Sequence, residues 1–117
     1  MFYSGIDQHK RNSYITTYGP DGTVVKQERV TNTPLQLRRY FAQFPGRHKA
    51  VVESAGDWYW LAAVLEELNV ELVLAHTTTL KAISAAKVKT DKIDSDILAL
   101  LLHANLIPKA HMISPER

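Results

Sequence analysis

Two aspartates three residues apart, Asp91 and Asp94, sit among Lys87, Lys89 and Lys92 and run directly into Ile97-Leu98-Ala99-Leu100-Leu101-Leu102. Thr90 or Asp91 suits the N-cap of a helix starting here, and an acid three residues on fits a capping box. Asp94 also heads the helical row through Ile97, Leu98, Leu101 and Ala104, the face best suited to burial. A carboxylate on that face needs a partner, because an unpaired buried charge is expensive. A metal ion is one such partner. Simple capping, favoured by the helix dipole, is the other reading of the same two residues.

Whether other acids converge on this place decides between the two readings, and that depends on the elements that would carry them. Phe2 to Asp7 reads as a short strand ending on an acid, and Asn12 to Tyr18 as a second. Gly19-Pro20-Asp21-Gly22 is a dense turn signal, so Thr23 to Val30 folds back as the third strand of a hairpin. Thr33 caps and Pro34 opens a helix that Pro45-Gly46 stops. Lys49 to Glu53 is apolar without alternation at Ala50-Val51-Val52, as a buried parallel strand should be, and it too ends on an acid. Asp57 is placed to cap a helix from Trp58 to Asn69 whose buried stripe is Leu61, Val64, Leu65 and Leu68. Val70 to Ala75 is a fifth strand, a short helix follows to Ala86, and the helix behind Asp94 runs to Leu106 before Pro108. The remaining residues to Arg117 are polar and extended.

The expected fold is therefore α/β, a mixed five-stranded sheet flanked by helices. In such a sheet ligands collect at the carboxyl ends of parallel strands. Asp7 and Glu53 close two of them, and if those strands are parallel neighbours the acids lie about one strand spacing, ~4.8 Å, apart. Carboxylates that close repel unless a cation lies between them. Asp7, Glu53, Asp91 and Asp94 together offer oxygen ligands only, the set that selects Mg²⁺ or Mn²⁺. Two such ions ~3.5–4 Å apart are the usual device for in-line phosphodiester chemistry. The neighbouring cations Lys10, Arg11, Lys87, Lys89 and Lys92 would offset phosphate charge, or else form a solvated face.

Composition excludes several classes. At 117 residues the chain is one domain, and with no cysteine it has neither a disulfide framework nor a thiolate metal site, which suits the cytoplasm. No apolar run approaches the ~20 residues that span a membrane. Ser54 lacks the context of a hydrolase nucleophile. His9 could touch metal or phosphate, but His76 and His103 have no zinc spacing. Trp58, Tyr59 and Trp60 could stack bases, yet at the start of an amphipathic helix they fit core or interface better. The helix from Ile97 to Leu106 is apolar nearly all round, which predicts self-association into a homo-oligomer.

Gly5-Ile6-Asp7, Val52-Glu53-Ser54-Ala55-Gly56 and Lys89-Thr90-Asp91-Lys92-Ile93-Asp94, with Leu98-Ala99 behind, resemble the DEDD transposases of bacterial insertion sequences. That group includes the pilin-gene invertases and the bridge-RNA-guided recombinases. The resemblance covers essentially the whole chain in order, and Lys-Thr-Asp-x-x-Asp is its most specific part. It implies a ribonuclease H-like (RuvC-like) fold in which Asp7, Glu53, Asp91 and Asp94 are catalytic and bind Mg²⁺. It also implies DNA as partner, with a guide RNA in some members. Departures are Gln8-His9 after the first acid, Ala75-His76 after the fifth strand, and Ser95 where alanine is common.

Family members continue into a coiled coil and a second domain with a nucleophilic serine, so residues 1–117 are expected to form the amino-terminal catalytic domain, inactive alone. The leading expectation is Mg²⁺-dependent cleavage and strand transfer on DNA. A Holliday-junction resolvase-like nuclease shares the same fold and acids. A non-catalytic nucleic-acid-binding or oligomerisation module would use the acids only structurally. An actin-like ATPase is excluded, for want of a second such domain and a glycine-rich phosphate loop.

Overall fold

The computed structural model describes residues 1–53, 58–75, 95–104 and 109–113. Six strands form one mixed sheet: β1 (Phe2–Gln8), β2 (Asn12–Tyr18), β3 (Val24–Thr31), β4 (His48–Glu53), β5 (Val70–Ala75) and β6 (Lys109–Ile113). Their order across the sheet is β3-β2-β1-β4-β5-β6. β1, β2 and β3 meander antiparallel, β4 and β5 run parallel to β1, and β6 returns antiparallel on the far edge. The five strands expected from the sequence are all present, in the ribonuclease H-like arrangement. The polar tail read as merely extended supplies a sixth, because β5 would otherwise be an open edge that a neighbouring segment can pair.

Three helices flank the sheet: α1 (Pro34–Phe41), α2 (Tyr59–Glu67) and α3 (Ser95–His103). Thr33 caps α1 by accepting a hydrogen bond from the Gln36 amide at 3.2 Å, with Pro34 in the first turn. α1 ends at Phe41, short of Phe44. α2 begins one residue later than expected, with Trp58 at its N-cap position and no side-chain cap bond; Asp57 lies outside the described residues, as does the short helix expected up to Ala86. At the C-terminal end of α2, Asn69 takes a left-handed conformation (φ 60°) that turns the chain into β5. Gly22 does the same between β2 and β3 (φ 86°), closing the hairpin with its amide on the Gly19 carbonyl at 3.0 Å.

The two faces of the sheet are built differently. Ile6, Ile15, Ala50, Val52, Leu72 and Leu74 point to one face and pack against Leu37, Tyr40, Phe41, Leu61 and Leu65 of α1 and α2. The opposite face is smaller: Val51, Val73 and Ala75 meet Leu98 and Leu102 of α3, with Tyr3 at the border. Both sides of β4 and β5 are thus covered, which is why their sequences run apolar without alternation. On α3, Leu98, Ala99 and Leu102 are buried whereas Leu100 is 44% exposed.

A buried chain of polar groups crosses the larger core. The Ser4 and Thr17 hydroxyls, opposite each other on β1 and β2, share a 2.6 Å hydrogen bond. Thr17 continues to the Tyr40 hydroxyl at 2.6 Å, and Ser4 to His48 Nε2 at 2.6 Å. Burial drives the Tyr40 phenol pKa up from its ordinary value. Burial likewise pushes His48 down to about 4, helped by the nearby amino terminus. A proton on Nδ1 would gain nothing, since that atom is buried with no hydrogen-bond partner.

His48 is therefore neutral in the folded chain and protonates near its ordinary value of 6.5 once unfolded. Between those two values the unfolded chain binds more protons, so stability falls as pH drops from about 6.5 towards 4. The full shift corresponds to about 3 kcal/mol. Urea unfolding at pH 7.5 and pH 4 should show wild type losing about that much more than His48→Gln, which removes the imidazole but keeps a hydrogen-bonding group for Ser4. An equal loss in both proteins would place the acid lability elsewhere.

Candidate nucleic-acid-processing site

Asp7 and Glu53 stand at the carboxyl ends of β1 and β4. These strands are parallel neighbours whose last paired residues are Ile6 and Val52, so each acid lies one step beyond that pair. Neighbouring backbones are about 4.8 Å apart there. The Asp7 side chain is 12% exposed and its Oδ2 lies 3.2 Å from His9 Nε2. His9, which by its position in the sequence is more often polar surface than a ligand, here meets the acid directly. Asp91, Asp94, Lys87, Lys89 and Lys92 lie outside the described residues. Among the described residues no group of three or more potential ligands could hold a metal ion.

The turn from β1 to β2 carries His9, Lys10 and Arg11, and it is held from a distance. Asn32, between β3 and α1, donates its side-chain amide to the His9 carbonyl at 2.7 Å and its backbone N–H to the Arg11 carbonyl at 2.9 Å. Its Oδ1 accepts from the Ser13 hydroxyl at 2.7 Å. Within the turn, the His9 amide donates to the Asn12 carbonyl at 2.9 Å. Two cations are thereby fixed beside Asp7. Together with Tyr14 and Arg29 they line an open cleft of about 670 Å³ that reaches Asp7 and His9. In the sequence Asn32 merely precedes the Thr33 cap, and nothing local marks Tyr14 or Arg29. Hydrogen bonds across the fold reveal the first and strand register the other two.

α3 reaches the same end of the sheet through an unusually close backbone approach. A Cβ on Gly5 would fall well inside van der Waals contact with the Ser95 carbonyl and the Ala99 amide, and 2.7 Å from Leu98 Cβ. Ser95 is buried and its hydroxyl shares a 2.8 Å hydrogen bond with Thr16, which faces Gly5 across β1 and β2. The serine that departs from the usual alanine thus has a structural partner. Tyr18 donates its phenol to Asp96 at 3.2 Å, and burial, then the Asp96 charge, raises that phenol above its ordinary pKa. The helix is consequently fixed in register on β1 and β2 from its first residue.

Of the three adjacent aromatics, Trp58 and Trp60 pack against the core. Tyr59 is 71% exposed and stacks on Trp58 with ring centroids 4.0 Å apart. His103 is engaged at the far end of α3, 3.3 Å from the Pro20 carbonyl and edge-on to Tyr3. No helix among the described residues is long and apolar enough to cross a membrane.

A mixed sheet with β3-β2-β1-β4-β5 in order, helices on both faces and acids at the carboxyl ends of β1 and β4 define a ribonuclease H-like domain. A family model described as Transposase, for DEDD transposases of the IS110 type, matches residues 4–111. The chain belongs to that transposase family. No curated protein matches it.

The contact at Gly5 makes a direct prediction. Gly5→Ala forces α3 off β1, because the atoms it meets are backbone and cannot rotate away. Overpacking of this kind costs about 3 kcal/mol or more. Chemical denaturation should register that loss, and a variant as stable as wild type would mean that α3 docks differently.

Proposed function

We propose that this chain is a metal-dependent catalytic domain that cleaves and rejoins phosphodiester bonds in DNA during transposition. Asp7, Glu53, Asp91 and Asp94 would hold Mg²⁺, with Mn²⁺ able to replace it. The observation that carries this reading is the pairing of β1 with β4: two acids remote in sequence lie at the carboxyl ends of adjacent parallel strands, one step beyond Ile6 and Val52. Their family membership supports the same reading. Oxygen donors at that spacing suit a hard cation, which bound there would neutralise phosphate charge and act as a Lewis acid on the phosphodiester.

The chain's own residues then have distinct tasks. Lys10 and Arg11, on the turn pinned by Asn32, hold a phosphate next to Asp7. Lys87, Lys89 and Lys92 add charge beside Asp91 and Asp94. His9 orients the Asp7 carboxylate through their 3.2 Å contact. α3, docked on Gly5 and Thr16, brings the chain segment that follows Asp94 to the sheet. Strand transfer would also draw on the serine-bearing domain that the resemblance implies. Leu100, exposed on α3, would lie in the surface through which copies of the chain associate.

Calorimetric titration of Mg²⁺ and Mn²⁺ into wild type, Asp7→Ala and Asp94→Ala tests the site. Saturable heat and thermal stabilisation in wild type should vanish in both variants, since the two acids share one ion-binding centre. Retention of binding in either variant, or its absence from wild type even with DNA present, would reduce these acids to strand-end and helix-cap roles.

A further inference from the structure

The strand register brings three residues into one line that their sequence positions conceal. Asp7 is opposite Tyr14 across β1 and β2, and Tyr14 is opposite Arg29 across β2 and β3. The row runs at right angles to the strands and spans two strand spacings, about 10 Å, from acid to cation. Thr16 and Tyr18 on β2 meet Ser95 and Asp96 of α3. By alternation Tyr14 points to that same face, one step further along, past the residue against which α3 begins. Tyr14 is 39% exposed, Arg29 is exposed, and both line the cleft shared with Lys10 and Arg11. None of the three cations forms an ion pair with another described residue.

An exposed tyrosine on a strand is unexceptional in itself. Here it lies between a candidate metal-binding acid and a cation, in a cleft with two more cations on a turn that Asn32 holds still. An aromatic face flanked by fixed positive charge is how proteins grip a single strand: bases stack while phosphates are neutralised. A duplex offers no free base face, because its bases are already stacked on each other.

We infer that Asp7, Tyr14 and Arg29 form an entry row for an unpaired DNA strand, with Tyr14 stacking on a base and Arg29 holding a backbone phosphate two strands from Asp7. The strand crosses β3 and β2 towards the acid on β1, and Lys10 and Arg11 take the phosphate nearest Asp7. This inference rests on the reading of the chain as a DNA-processing domain and adds which strand state it grips and through which residues.

The test is fluorescence anisotropy of labelled oligothymidylate with the 117-residue chain in EDTA, where loss of metal binding cannot interfere. Tyr14→Ala should weaken single-strand binding about tenfold, equivalent to about 1.4 kcal/mol. Tyr14→Phe should restore it, and affinity for a duplex should not change. Arg29→Ala should weaken single-strand binding and lower the slope of log affinity against log salt by about 0.7. Both side chains are exposed, so thermal melts should match wild type. If wild type binds the strand and both alanine variants bind it equally well, the row is not used. A loss at Tyr14→Ala shared equally by duplex would also overturn the inference, as would tighter binding of oligouridylate than of oligothymidylate. Wild type that binds neither strand nor duplex would remove the DNA-processing reading along with it.

Discussion

The close approach of α3 to β1 is the constraint on which the rest depends. The sheet alone can align the ends of β1 and β4, because parallel pairing at Ile6 and Val52 sets that. It cannot bring in a segment from the far end of the sequence. That requires a helix to lie with its backbone against a strand, and only a residue without Cβ admits it at Gly5. Once the backbones are this near, small polar side chains suffice to set the register: Ser95 with Thr16, and Asp96 with Tyr18. The sparse apolar set on this face, chiefly Leu98 and Leu102 on Val51 and Val73, then adds burial without setting position.

The other face is the stable platform. Its core is larger and is crossed by hydroxyls and an imidazole whose hydrogen bonds run from β1 to β2, α1 and β4. Buried polar groups that are bonded to one another fix a single arrangement, since any slip strands a donor or acceptor in apolar surroundings. Ser4 and Thr17 lie opposite each other on the strands that carry Asp7 and the basic turn. A one-residue slip of β1 against β2 would break that pair and also move Asp7 away from Tyr14. The same register serves core and cleft.

Much of this fold was legible in the sequence, and the exceptions share a cause. Continuous apolar runs at Ala50-Val51-Val52 and Val70 to Ala75 announce strands buried on both faces, and Thr33-Pro34 announces a helix start. These are local signals. β6 is less legible because its alternation, Lys109-Ala110-His111-Met112, is only four residues long and follows a helix stop at Pro108; pairing with β5 makes it a strand. In the sequence Asn32 simply precedes the Thr33 cap, yet its three hydrogen bonds reach back to His9, Arg11 and Ser13. Of the candidate acids, Asp7 and Glu53 are legible as strand-end residues, but that their strands are parallel neighbours is seen only in the pairing of β1 with β4. Tyr14 and Arg29 follow only from hairpin register, which turn residues do not fix to the residue. The bulge between Thr17 and Tyr18 shows how easily that register is altered.

The turn beside Asp7 shows how a fold can make a surface site rigid without burying it. His9 and Lys10 are exposed, and exposed loops ordinarily carry their side chains through many positions. Here the backbone of His9 is committed at both ends, its amide to Asn12 and its carbonyl to Asn32, and its imidazole lies 3.2 Å from the Asp7 carboxylate. Arg11 is tied by its carbonyl to the same asparagine. Pinning through main-chain groups leaves the charged side chains available to a ligand while the loop-ordering part of the binding entropy is already met in the fold. A basic turn of identical sequence on an untethered hairpin would carry the same charge but would have to be ordered by each phosphate it met. The asparagine that prevents this belongs to neither the acidic nor the basic set, and it acts from the junction of β3 and α1.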